Sequence, residues 1–304
     1  MAGPNQLTVA ILHCGDMGAA LGRLLRETGV RVVTTCENRT RATEERAHAS
    51  GIERLPGLSD VVDQSDIAIS LVLPDAAVEM AREYADCHQR LSKKNSIFVD
   101  ANSVGLDALR QVERVMAERE IPLVDAAIHG GAHRLQEVGV LYLSGPSAGR
   151  VEDVCRGAVR VDHLGEQVGA ATGIKLVLAG LSKTLAAMFL EIGVLAERTG
   201  ILRSFLDNCH HFYPGVLNAV ERTIPTYPRH AARRVGEVRD IVKLAESSDS
   251  PARLMQQAGD LIEILASIDW DPQIGPSPDL QTIIRSLAEV SHSQSSEGYI
   301  KVGK

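Results

Sequence analysis

Aromatic residues are scarce in this 304-residue chain, with four Phe, five Tyr and one Trp. So few rings give the bases of a nucleic acid little to stack on. Positive charge is not in excess either: 32 Lys and Arg stand against 39 Asp and Glu, a formal charge of -7, which argues against nucleic acid or an anionic membrane as the main partner. The five cysteines (Cys14, Cys36, Cys87, Cys155 and Cys209) are odd in number and scattered, with no C-x-x-C or Cys/His ligand spacing. That pattern reads as reduced thiols in a cytoplasm, with no metal site. No run approaches the roughly 18 uninterrupted apolar residues of a membrane span, and the opening MAGPNQ carries no basic stretch leading into one. The expectation is a cytoplasmic protein whose partners include neither nucleic acid nor a membrane.

What is present is an ordinary globular composition, 44% hydrophobic and 23% charged, in a chain long enough for two domains. The first half alternates short apolar runs with helical spacing. Strands are predicted at residues 7–12, 31–36, 67–73, 96–100, 123–125 and 140–144, with helices between several of them. This grammar predicts an α/β, Rossmann-type doubly wound and mostly parallel sheet over residues 1–164. Beyond Leu164 the pattern is helical, with segments at 168–199, 203–220, 228–245, 251–268 and 279–290 punctuated by Pro225, Pro228 and Pro251. Residues 165–304 are therefore predicted to form an all-helical domain, ending in a polar tail at 291–304 that is expected to fray.

The turn after the first strand, Ile11-Leu-His-Cys-Gly-Asp-Met-Gly18, matches G-x-G-x-x-G except that His13 takes the first glycine. Gly15 permits a close backbone approach to a pyrophosphate and Gly18 lets the helix pack on the sheet, so both of those tasks are served. His tolerates positive φ better than most residues, which suits a tight turn at the first position. Glu37 ends the second strand at the offset of a ribose ligand, whereas Arg39 beside it suits a 2′-phosphate. NAD and NADP both stay open. Cys14, at a helix N-terminus, is expected to have a stabilised thiolate.

These residues resemble the 6-phosphogluconate dehydrogenase-like and β-hydroxyacid dehydrogenase family. Gly15-Asp16-Met17-Gly18 is similar to the family's first turn, Asn38-Arg39-Thr40 to its N-R-T, and Ser65 to Pro74 to its third strand, which ends in a proline loop over the cofactor. Asp100-Ala-Asn-Ser103 resembles the segment that gives a substrate-binding serine, Asp125 to Gly131 the D-A-P-V-S-G-G motif, and Gly169 to Lys175 the start of the long helix that bears the catalytic lysine. Leu12 to Gly18, Leu141 to Pro146, Lys175 followed by Ser182-Lys183, and Pro228 to Arg234 match a branch with a poorly characterised helical domain, in which the first fingerprint glycine is often replaced. His13 then reads as a trait of the branch.

The resemblance implies an NAD(P)-dependent dehydrogenase or reductase acting on a small, anionic hydroxyacid or related alcohol/carbonyl pair. It implies Lys175 as general acid/base, and Gly15, Asp16, Met17, Gly18, Glu37, Asn38, Arg39, Thr40, Leu73 and Pro74 around the cofactor. Ser103 and the backbone of Gly130 and Gly131 are candidates for binding substrate. Ser182 lies seven residues beyond Lys175, on the same helical face, and is a candidate to bind substrate or orient the lysine. Lys183 is a candidate substrate residue whose charge would lower the pKa of Lys175, or simply a solvated lysine. Arg229 to Arg234 form a cationic cluster, either an anion site or an ion-pair network with Glu237 and Asp240. Ala179 replaces a substrate-holding asparagine of the family, and His129 with Arg134 to Glu137 replaces its small residues, so the substrate departs from the common one. The alternatives are an imine reductase, whose relatives often carry Asp or Tyr where Lys175 stands, and a silent cofactor-binding protein. The long apolar helix and the resemblance together imply a homodimer.

Overall fold

The computed structural model describes residues 7–91, 96–270 and 278–296, with the backbone alone described for 291–296. It divides into two units, Met1–Lys175 and Leu176–Lys304. The division falls later than the change of sequence pattern at 164–165, because the first turns of the long helix bond to the sheet.

The first unit is one eight-stranded sheet among the described residues, in the order β3-β2-β1-β4-β5-β6-β7-β8. Its strands are β1 (Thr8–Ile11), β2 (Arg31–Thr35), β3 (Glu53–Leu55), β4 (Ile67–Ser70), β5 (Ile97–Asp100), β6 (Leu123–His129), β7 (Val140–Ser144) and β8 (Arg160–His163). Every neighbouring pair is parallel except β6 with β7. The mostly parallel sheet matches the sequence reading. The two edge strands, Glu-Arg-Leu and Arg-Val-Asp-His, escaped that reading because they are largely exposed and charged and so form no apolar run.

Helices α1 (Asp16–Glu27), α2 (Arg41–Ala49), α3 (Leu58–Gln64), α4 (Ala77–Arg90), α5 (Leu106–Glu118), α6 (Leu135–Val138) and α7 (Ala148–Cys155) connect the strands. Leu21, Leu24 and Leu25 of α1 bury on one face of the sheet with Ile11, Ile67 and Val99. Met80, Ala81, Tyr84 and Ala85 of α4 bury on the other with Leu12, Ala68 and Phe98. Gly22 of α1 lies against Ile52, where a Cβ would stand 2.5 Å from its Cδ1, so the helix seats closely. Strand order reverses between β1 and β4, the switch point at whose carboxyl ends doubly wound sheets bind ligands.

The second unit is helical. The long helix α8 (Ala170–Arg198) begins in the first unit, and α9 (Leu202–Phe212), α10 (Pro214–Thr223), α11 (Tyr227–Ser247), α12 (Arg253–Ser267) and α13 (Leu280–Ser296) follow. The single segment predicted at 203–220 is two helices, since Pro214 has no N–H to continue α9 and opens α10 instead. Helix α13 runs to Ser296, past the predicted end at 290, and the rest of the polar tail, 297–304, lies outside the described residues. Gly180 and Gly193 let α8 lie against Ile241 and Ile284.

Val177, Leu181, Met188, Ile192 and Leu195 of α8 remain exposed. At 100° per residue these positions fall within one narrow stripe. By length and composition alone α8 would also suit a membrane span, with a mean hydropathy of 1.6 in its most apolar window. The search for uninterrupted apolar runs missed this, because isolated lysines and hydroxyls break the run while barely lowering the average. Those interruptions anchor the helix: its N-terminus bonds to a buried carboxylate of the sheet, and Lys183 is ion-paired within the helical unit.

Candidate active site

The loops that follow β1, β2, β4, β5 and β6 all emerge at the carboxyl edge of the parallel strands, and these loops with the helix starts they lead into carry every cofactor residue predicted from the sequence. After β1, Gly15 is the extended N-cap of α1 with no side-chain cap, so the first N–H groups of the helix are left for an anion. A Cβ on Gly18 would collide with the carbonyl oxygen of His13. That contact explains why the third fingerprint glycine is kept. His13 does not use the positive φ expected of it, since among the described non-glycine residues only Asn38, Glu120 and Asp249 do. One further expectation changes. Cys14 is buried, which pushes its thiol up to about 11, the opposite of a stabilised thiolate. Asp16 pairs at 2.8 Å with Arg46 of α2.

The second loop is set by Asn38, whose left-handed φ of 56° suits asparagine better than most side chains. Glu37 and Arg39 are exposed on either side of it, so one loop offers both a ribose acceptor and a phosphate-binding cation. Thr40 caps α2, accepting a hydrogen bond from the Thr43 N–H. Leu73 and Pro74 follow β4, with Leu73 74% exposed at the crevice. A bare helix N-terminus, close backbone packing at Gly18 and an acid and a base after β2 together fit a dinucleotide.

The chemistry depends on how α8 begins. Asp125 of β6 is fully buried, and its Oδ2 accepts from the N–H groups of Gly169 and Thr172 and from Ser144 Oγ, each at 3.0 Å. Its Oδ1 accepts from Thr172 Oγ1 at 2.7 Å, and Ser144 Oγ accepts in turn from the Ala171 N–H at 3.1 Å. A sheet carboxylate therefore caps α8 from a distance and satisfies its orphan donors, where charge and helix dipole also agree. Held this way, α8 places Lys175 so that its Nζ donates to Ser103 Oγ at 2.6 Å.

Ser103 is fixed through its neighbour. Buried Asn102 accepts from the Val72 N–H at 2.7 Å and donates to Ser70 Oγ at 3.0 Å and Asp100 Oδ1 at 2.7 Å, which ties the ends of β4 and β5 together. Asp100 pairs across the sheet with Asp125, and burial pushes its carboxyl up to about 6; the bonds from Asn102 oppose this, and the Asp125 charge adds to it.

Gly130 ends this edge with φ at 117° and is packed against Gly139, a position no side chain would tolerate. Gly131 follows it, exposed and extended, and His129 is exposed at the end of β6. On α8, Ser182 is exposed. Lys183 is not the free cation expected beside Lys175: its side chain is 10% exposed and its Nζ pairs with Glu237 Oε2 at 2.7 Å. In the arginine cluster Arg233 also reaches Glu237, while Arg234 stacks 4.1 Å from the Tyr227 ring and donates to Thr226 Oγ1. The ion-pair network with Glu237 is thus what the helical unit builds.

The geometry agrees with comparison to known proteins. Residues 8–156 match the NAD binding domain of 6-phosphogluconate dehydrogenase, and residues 196–265 match a domain of unknown function, DUF1932. Residues 8–156 thus carry the NAD binding domain of the 6-phosphogluconate dehydrogenase family. An uncharacterised 28.5 kDa protein of Methanothermus fervidus is 25% identical over 201 residues, 66% of this chain and 75% of that protein. The Mycobacterium tuberculosis 3-hydroxyisobutyrate dehydrogenase, solved with L-serine, superposes with a TM-score of 0.70 at 18% identity, covering 93% of this chain and 99% of that one. An imine reductase variant from Myxococcus stipitatus, solved with NAD+, gives 0.57 at 16% identity over 93% of this chain and 100% of that one. A nicotinamide cofactor follows for the family fold.

Sequence reasoning overlooked Asp125, Asn102, Ser144 and Thr172 as parts of the site. A signal was available: a charge inside the apolar run Leu123-Val-Asp-Ala-Ala-Ile128 needs buried partners, and Gly169 before α8 provides no side-chain cap.

Three outcomes are expected. Gly18→Ala abolishes NADH and NADPH binding in fluorescence titrations, because the loop cannot close. Asp125→Ala strands the donors of α8 and destabilises the protein by about 3 kcal/mol or more, measured by urea unfolding. Asp100 binds its proton more tightly folded than unfolded, so its contribution to stability is full below the usual carboxylate pKa and is lost as pH rises through about 6. Asp100→Asn keeps the Oδ1 acceptor without the charge. Its melting temperature relative to the original protein should therefore rise between pH 4.5 and pH 7, and a constant difference would contradict this assignment.

Proposed function

We propose that this protein is a nicotinamide-dependent oxidoreductase that transfers a hydride between the cofactor and a small, anionic hydroxyacid or related alcohol/carbonyl pair, with Lys175 as general acid/base. The observation that carries the reading is the 2.6 Å bond from Lys175 Nζ to Ser103 Oγ, at the edge of the sheet where the cofactor loops gather. A nicotinamide cofactor held by the segments after β1, β2 and β4 would supply the hydride transfer. In the oxidising direction a neutral Lys175 takes the hydroxyl proton, and in the reducing direction its ammonium returns one to the carbonyl oxygen. Because Ser103 accepts from the lysine, its own O–H is left to donate to a substrate carboxylate. Gly130 and Gly131 add backbone N–H donors from the next loop, and Ser182 continues the Lys175 face of α8. Lys183 belongs to the fold of the helical domain, through Glu237, and not to this set.

The working division is a dinucleotide domain over 1–164 and a helical substrate and dimerisation domain over 165–304. The exposed stripe from Val177 to Leu195 supports a homodimer, since an apolar stripe of that length is poorly suited to water. The chain is read as cytoplasmic. Glu37 and Arg39 support NAD and NADP respectively, and parallel titrations with NADH and NADPH choose between them.

A second reading, imine reduction, is favoured by the shared fold of the Myxococcus stipitatus enzyme. It is weighed against Lys175, whose amine suits proton exchange with oxygen. A panel of hydroxyacids, their carbonyl partners and cyclic imines separates the two, and tight cofactor binding with no turnover would favour a silent binding protein. On the true substrate, Lys175→Ala is expected to lower kcat by about 10²-fold or more while leaving the cofactor Kd unchanged. Ser103→Ala should raise KM more than it lowers kcat. Unchanged kcat in Lys175→Ala would remove the lysine from the mechanism.

A further inference from the structure

His13 occupies the position where the fingerprint asks for glycine, and its ring lies beside the next one: a Cβ on Gly15 would stand 3.4 Å from His13 Cδ2 and 3.5 Å from Nε2. Gly15 is where the loop lets the backbone approach a pyrophosphate, so the imidazole edge borders that spot. The other ring nitrogen, Nδ1, is buried with no hydrogen-bond partner. A buried N–H without an acceptor is costly, so the single proton of a neutral ring belongs on Nε2, the nitrogen beside Gly15. The charged groups around the turn are Arg39 after β2, Arg46 of α2, and Asp16 of α1, which is paired with Arg46. Burial, then the two arginines, lower the pKa of the imidazole. The ring therefore stays neutral at physiological pH.

We propose that His13 is a phosphate ligand of the dinucleotide, supplying from the Nε2–H of its neutral ring a donor that glycine lacks. This rests on the cofactor reading above and adds to it a residue that the family's glycine cannot provide. In this chain the altered fingerprint is a gain of one ligand, set between a helix N-terminus and two guanidinium groups.

The test is fluorescence titration of NADH and NADPH into the full-length protein and into His13→Gly and His13→Gln, from pH 6.5 to 8.5. Restoring the glycine should weaken binding of the preferred cofactor by about tenfold, the worth of one good hydrogen bond. Gln, which keeps an N–H donor, should stay within about threefold. The ratio between the original protein and His13→Gly should not change with pH. Nitrogen NMR of the His13 ring should show the Nε2–H form, with its signal shifting when cofactor is added. Equal or tighter binding by His13→Gly overturns the proposal, as does a ring signal indifferent to cofactor or a tenfold ratio that collapses at high pH. Failure of the folded original protein to bind either nucleotide overturns the cofactor reading itself.

Discussion

One buried carboxylate organises the carboxyl edge of the sheet in this molecule. Asp125 sits inside the sheet, where an ionised group survives only if its oxygens are fully engaged. The engagement comes from the start of a 29-residue helix, with Ser144 of β7 beside it. Neither partner is stable alone in this position: the helix would end in unpaired N–H groups and the carboxylate in apolar surroundings. Their union fixes the first turns of α8, and thereby the reach of Lys175. Lysine has a long flexible stem, so its placement on Ser103 depends on a precisely seated backbone more than on the side chain itself.

The candidate cofactor and substrate residues gather for a different reason. In a parallel sheet every strand ends on the same side, so the loops after β1, β2, β4, β5 and β6 share one edge whatever their sequence. Topology supplies the crowding, and local chemistry assigns the roles: Gly18 by close contact, Asn38 by its left-handed backbone, Gly130 by a φ closed to other residues. The change of pairing direction at β7 ends the parallel series next to the last of these loops.

Much of this was legible in the residues. The apolar strands, the glycine turn and the helical second half are periodicity signals, and Lys175 stood out because it interrupts an apolar helix. What escaped notice shares a physical character. The edge strands β3 and β8 are held by ladder bonds, with little burial to mark them. The roles of Asp125 and Asn102 depend on contacts between strands far apart in sequence, such as Thr172 with Asp125. Lys183 and Cys14 were misread because residue type and helical position do not report the third element packed over them. A buried thiol and a buried ammonium on Glu237 are tertiary facts.

The Asn102 amide has a consequence for how this edge of the sheet tolerates change. Through Val72 it holds the strand end that leads to Leu73 and Pro74, and through the chain it holds Ser103, the partner of Lys175. The strand end before Leu73 and the Ser103 segment are thus tied through one amide, and a substitution at Asn102 disturbs both. Side chains outside this network, His129 and Arg134 among them, can change without disturbing either strand end.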